Sequence, residues 1–287
     1  MRRFTRITPA VVAVATCFWS LGANGAVVYL DQFEVTKNGN TFFTDSFADG
    51  NAPPSAPNFP NRDPASYSVF GTFVAGSESG GLLRLNSADG GLTQNALGQG
   101  RLTLRAALNS NIDPSNLING LKIDDKLNLT GLFNLSSLTG PLINGYGIRF
   151  SDRTAAGVNQ AAELDVRFNP ETGKVEVRYV LQDFNTSQIF ERGLADFAPP
   201  NGADQILLQL ARPDDANTNF FASYSYLQAG NIIGGGVFEA PISLFQGENF
   251  VRAEFLAFES LPVPEPGTLA LLCLGFAGMA AMRRRRQ

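Results

Sequence analysis

From residue 26 onwards, short apolar runs, many of them alternating apolar and polar, are separated by clusters of Gly, Pro, Asn and Asp. A period of two sends successive side chains to opposite faces of a strand, so these runs predict strands with one buried face. The predicted strands are Val27–Glu34, Thr41–Phe47, Tyr67–Ala75, Leu82–Asn86, Arg101–Leu108, Leu127–Leu135 and Tyr146–Ser151. They continue with Ala161–Phe168, Val175–Asp183, Gln188–Arg192, Gln205–Ala211, Phe220–Leu227, Gly236–Glu239 and Val251–Phe258. No apolar stretch of helical periodicity exceeds twelve residues in the body, and no repeat of 20 to 50 residues is visible. Strands at this spacing with turn signals between them predict an all-β jelly roll or β-sandwich of two antiparallel sheets. The five prolines between Ala48 and Pro64 mark the longest irregular loop.

One hairpin is specified down to its register. Pro170-Glu171-Thr172-Gly173 supplies a four-residue loop, with Gly173 free to take positive φ. Asn169 then faces Lys174, and the apolar pairs are Phe168–Val175, Val166–Val177 and Leu164–Tyr179. The same register sets Asp165 opposite Arg178 and Arg167 opposite Glu176, both of opposite charge, as cross-strand neighbours prefer. A one-residue slip would turn the apolar set to the wrong face. These charges are expected on the solvent side.

The two ends follow other patterns. Arg2, Arg3 and Arg6 precede an apolar run from Ala10 to Trp19, and Ala23-Asn24-Gly25 supplies small residues at the exit. That is a secretory signal over residues 1–25, with cleavage between Gly25 and Ala26. At the other end, residues 261–287 hold Val263-Pro264-Glu265-Pro266, an uncharged apolar run over 267–282, and Arg283, Arg284, Arg285 and Arg286. Two prolines in three residues start a helix rather than sit inside one. Sixteen helical residues span about 24 Å, slightly short of a hydrocarbon core, and snorkelling arginines and local thinning close the gap. The arginine block holds that end in the cytoplasm.

Taken away, the ends change the composition. The single Trp and both Cys, at positions 17, 19 and 273, leave with them, and the chain has no His at all. The body, residues 26–260, therefore has no disulfide, no thiolate or imidazole metal ligand and no His-based catalytic machinery. Seven arginines and one glutamate also leave, so 15 basic and 25 acidic residues remain, a net charge of −10. That balance argues against nucleic-acid binding.

The tail resembles the PEP-CTERM sorting signal of Gram-negative bacteria, carried by Pro264-Glu265-Pro266, the apolar run and the terminal arginines. The resemblance implies an exosortase as partner, cutting near the motif, after use of the general export machinery. It further implies a transient stay in the inner membrane, then the cell surface or the extracellular matrix. The body resembles the concanavalin A-like lectin/glucanase jelly roll, through Asp45-Ser46-Phe47-Ala48-Asp49-Gly50, Gly145-Tyr146-Gly147-Ile148-Arg149-Phe150, Ala162-Glu163-Leu164-Asp165-Val166 and Phe220-Phe221-Ala222-Ser223-Tyr224. Such a likeness implies two curved sheets and does not by itself imply a sugar ligand.

Three pieces of candidate chemistry stand in the body. Glu163-Leu164-Asp165-Val166 looks like the start of the catalytic strand of laminarinase-type glucanases, which needs a second Glu further along the strand. Arg167 and Phe168 stand in the two places where it would fall, and a lone Glu cannot both attack and protonate a leaving group. Asp45, Asp49 and Asp152 offer oxygen ligands for Ca²⁺, although Asp is also what turns require. Tyr224 and Tyr226 share a face, as core or as a platform for sugar rings. The expectation is an exported, sorted surface or matrix protein that is not an enzyme, needs no cofactor and has extracellular polysaccharide as its further candidate partner. Two other readings stay open, a calcium- or saccharide-binding lectin-like module and a polysaccharide hydrolase.

Overall fold

The computed structural model describes residues 26–53, 67–94, 100–108, 121, 125–152, 160–184, 186–213, 219–243 and 251–260. The expected signal, the sorting motif, the apolar run and the arginine cluster lie outside the described residues, as does most of the 48–64 loop.

Among the described residues sixteen strands follow one another: β1 (Val27–Lys37), β2 (Asn40–Asp45), β3 (Tyr67–Phe70), β4 (Glu78–Ser79), β5 (Leu82–Asn86), β6 (Gly91–Gln94), β7 (Gly100–Leu108) and β8 (Leu127–Asn134). Then come β9 (Asn144–Asp152), β10 (Gln160–Asn169), β11 (Lys174–Asp183), β12 (Gln188–Asp196), β13 (Gln205–Arg212), β14 (Asn219–Gln228), β15 (Asn231–Ser243) and β16 (Val251–Ser260). Among the described residues the one helical piece is a 3-10 turn at Ser87–Asp89.

Two antiparallel sheets result. The first has the order β15-β14-β13-β8-β1-β5-β4, with β2 also on β1; the second has the order β12-β11-β10-β9-β16-β7-β3, with β6 also on β7. The expected all-β sandwich is therefore the fold. The β10–β11 hairpin has the register its charges specify, from Asn169 opposite Lys174 to Leu164 opposite Tyr179, and Gly173 takes φ 68° in its loop.

The strands differ from the sequence pattern at identifiable places. The expected Tyr67–Ala75 strand ends at Phe70, because the chain turns there and the Thr72 amide donates to the Asp89 carbonyl. Gly236–Glu239 is only part of β15, which starts at Asn231. Gly234, Gly235 and Gly236 have no side chain to signal a strand, yet they pair with Tyr226, Ser225 and Tyr224. Strand β12 runs on to Asp196, and β4 and β6 are too short to show a period.

The core lies between the sheets. Phe33 from β1 meets Phe255 from β16 edge-on at 5.0 Å, and Tyr67 and Phe47 close on the same ring at 5.4 and 5.9 Å. Edge-to-face rings add to what burial alone contributes. Leu164, Val166, Val177 and Tyr179 line the second sheet's inner side, so the residues between them point the other way.

Candidate functional site

That other face of the second sheet carries the densest chemistry in the described residues. Strand β7 places Arg101 and Arg105 on it, β16 places Glu254, β9 places Arg149 and Ser151, β10 places Glu163, Asp165 and Arg167, and β11 places Glu176, Arg178 and Gln182. The sequence pattern expects these charges in water. They are not: Glu163, Asp165 and Glu254 are 0% exposed, and Arg149 is 3% exposed. A period of two separates the faces of a sheet but does not say what each face meets. Here the carboxylates sit among long guanidinium side chains, and Arg101 itself lies over the Phe258 ring at 4.4 Å.

The pairing follows the strand register. Glu163 faces Arg149 across β10 and β9, and Arg149 faces Glu254 across β9 and β16, so one arginine stands between two carboxylates. Its Nε donates to Glu254 Oε2 at 2.9 Å, its Nη2 donates to the same oxygen, and its Nη1 lies 3.6 Å from Glu163 Oε2. Ser151 donates to Glu254 Oε1 at 2.7 Å, and Arg105 adds a contact at 3.7 Å. Arg178 grips Asp165 with both ends of its fork, Nε to Oδ1 at 3.2 Å and Nη2 to Oδ2 at 2.5 Å. Arg167 donates from Nε to Glu176 Oε2 at 3.1 Å. Gly147, opposite Asp165, makes room for this: a Cβ there would lie 2.3 Å from the Leu164 carbonyl oxygen.

Electrostatics separates the carboxyls. Burial works against ionisation of Glu254, yet Arg149, Arg105 and Ser151 outweigh it and hold the group down at about 2. Burial raises Asp165 to about 6, against the pull of Arg178. For Glu163 the guanidiniums of Arg101, Arg149 and Arg178 overcome burial and lower it. Arg149 fills the space between Glu163 and Glu254, where a glycosidic bond would have to lie for a two-carboxylate reaction.

The residues considered for calcium are otherwise employed or apart. Asp45 accepts from the Phe47 amide and from the Tyr67 hydroxyl, each at 2.9 Å. Asp49 accepts from the Asn51 amide at 2.9 Å, and Glu78 accepts from the Gly50 amide at 2.8 Å. Glu78, which sequence reasoning missed because it lies on the two-residue β4, is pushed up to about 7 by burial and by Asp49. Asp152 belongs to β9 of the other sheet, where its backbone faces Val251. Among the described residues no group of three or more His, Cys, Asp or Glu is placed to hold a metal ion. Tyr226 is buried and packs edge-on against Phe197 and against the partly buried Tyr224, so these tyrosines are core.

Fold and face together define a β-sandwich with an internally paired charge layer. Its carboxyl end carries a sorting signal: residues 262–286 match the family model of the PEP-CTERM protein-sorting motif. The chain is thus an exported protein of the kind sorted by an exosortase. No curated protein and no solved structure matches the chain, so the concanavalin A-like resemblance gains no neighbour. Among the described residues no helix is long and apolar enough to cross a membrane; the expected membrane segment lies outside them.

Proposed function

We propose that the protein is a non-catalytic component of the cell surface or extracellular matrix, released to it when the exosortase cuts near Pro264-Glu265-Pro266. The observation that carries this reading is the sorting motif at 262–286. The buried ion pairs support the non-catalytic part: Glu163, Asp165 and Glu254 are each engaged by arginine. Extracellular polysaccharide is the further partner that this reading implies. The test is intact-mass analysis of surface material. The mature protein should start at Ala26 and lack the four-arginine end. Replacing Pro264, Glu265 and Pro266 with alanine should leave the uncut form in the inner membrane, and unchanged processing in that variant would reject the reading. The purified protein should leave β-glucans intact.

A further inference from the structure

Glu163 lacks a hydrogen-bond donor at one of its two oxygens. Oε2 receives Gln182 Nε2 at 3.2 Å and lies 3.6 Å from both Arg101 Nη2 and Arg149 Nη1. Oε1 is buried with no partner. A buried carboxylate oxygen left without a donor loses its hydration and gains nothing in return. The surrounding side chains also make bonds elsewhere, and none of them donates to Oε1. On β11, Arg178 holds both oxygens of Asp165; on β9, Arg149 is bonded to Glu254; on β7, Arg101 Nε donates to Thr103 and Arg105 leans on Glu254. On β10 itself, Arg167 is bound to Glu176 of β11 and reaches Glu191 of β12.

The remaining neighbour is Asp165. It stands two residues along the same strand, on the same face and equally buried. Two carboxylates offer only acceptors to each other, so a hydrogen bond between them requires a proton. We propose that Glu163 and Asp165 hold one proton between them, and that this proton is a pH-operated latch on the charged face of the second sheet. With the proton in place Oε1 is satisfied and the face carries one negative charge fewer. Without it, two buried carboxylates repel each other where β9, β10 and β11 meet.

The direction of titration agrees. Asp165 is raised to about 6 while Glu163 is lowered, as expected when one site of a coupled pair keeps the proton that both bind. The latch therefore closes as pH falls through the mildly acidic range and opens above it.

The test is carboxyl ¹³C NMR of the full chain in detergent micelles, titrated from about pH 3 to about pH 8, with the two resonances assigned through Glu163→Gln and Asp165→Asn. Both carboxyls should report one common inflection near pH 6. In Glu163→Gln the side-chain amide becomes a permanent donor, so the Asp165 midpoint should drop by about one unit or more, a tenfold loss of proton affinity. Separate inflections in the wild-type chain, with Asp165 in the ordinary carboxylate range, would overturn the proposal. An Asp165 midpoint unmoved by Glu163→Gln would also overturn it, because burial alone would then hold the proton. If that variant does not fold, the common or separate inflection of the wild-type chain decides.

Discussion

Asp165 and Asp196 are the same side chain in opposite surroundings. Asp165 is fully buried under the Arg178 fork, whereas Asp196 is 68% exposed and meets Lys174 at 3.2 Å with that lysine 58% exposed. Removing one partner of a buried pair strands the other charge and costs about 3–5 kcal/mol, while an exposed pair is worth about 0–1 kcal/mol. Asp165→Ala should therefore lower urea-measured stability several-fold more than Asp196→Ala. Equal, small losses would mean that water reaches Asp165. The partnership of Asp165 with Arg178 was legible in the sequence, since charge and register agree. Its burial was not, because alternation tells which residues share a face and nothing about what lies over that face.

The β10–β11 hairpin and β15 show how far local pattern reaches. In the hairpin, apolar alternation, opposite charges and a Gly-ended loop all select one register, and that register forms. In β15 three consecutive glycines erase the alternation, so only the pairing with β14 reveals the strand. Glycine carries a different meaning in β9. The close approach of β9 to β10 depends on Gly147, where a Cβ would press on the Leu164 carbonyl and on Asp165 Cα at 2.8 Å. Gly147→Ala should force the strands apart and cost about 1–3 kcal/mol by overpacking, read from chemical denaturation. A neutral outcome would show that the two strands can shift without loss.

At the level of the whole molecule, buried carboxyls set opposite slopes of stability against pH. Glu254, held down at about 2, contributes stability that is present above the ordinary glutamate range and lost as pH falls towards 2. Asp165, raised to about 6, and Glu78, raised to about 7, bind protons in the folded state that the unfolded chain has released. Their contribution is present at low pH and lost as pH rises through those values. The melting temperature should therefore peak between about pH 4 and about pH 5 and decline on both sides. A maximum at neutral pH would contradict these assignments. The sorting role, unlike the charge layer, was legible from residues alone, because a proline-bounded apolar run with terminal arginines is a linear signal that needs no fold to be read.

The placement of β1 and β16 bears on when the protein acquires its shape. Strand β1 lies between β8 and β5 in the middle of the first sheet, and β16 lies between β9 and β7 in the middle of the second. In the second sheet β9 and β7 are joined only once residues 251–260 are in place between them. Pairings between strands so far apart in the chain form slowly. The sorting motif begins at residue 262, immediately behind that last strand. The strand that completes the second sheet and the match to the sorting motif are therefore separated by a single residue of chain.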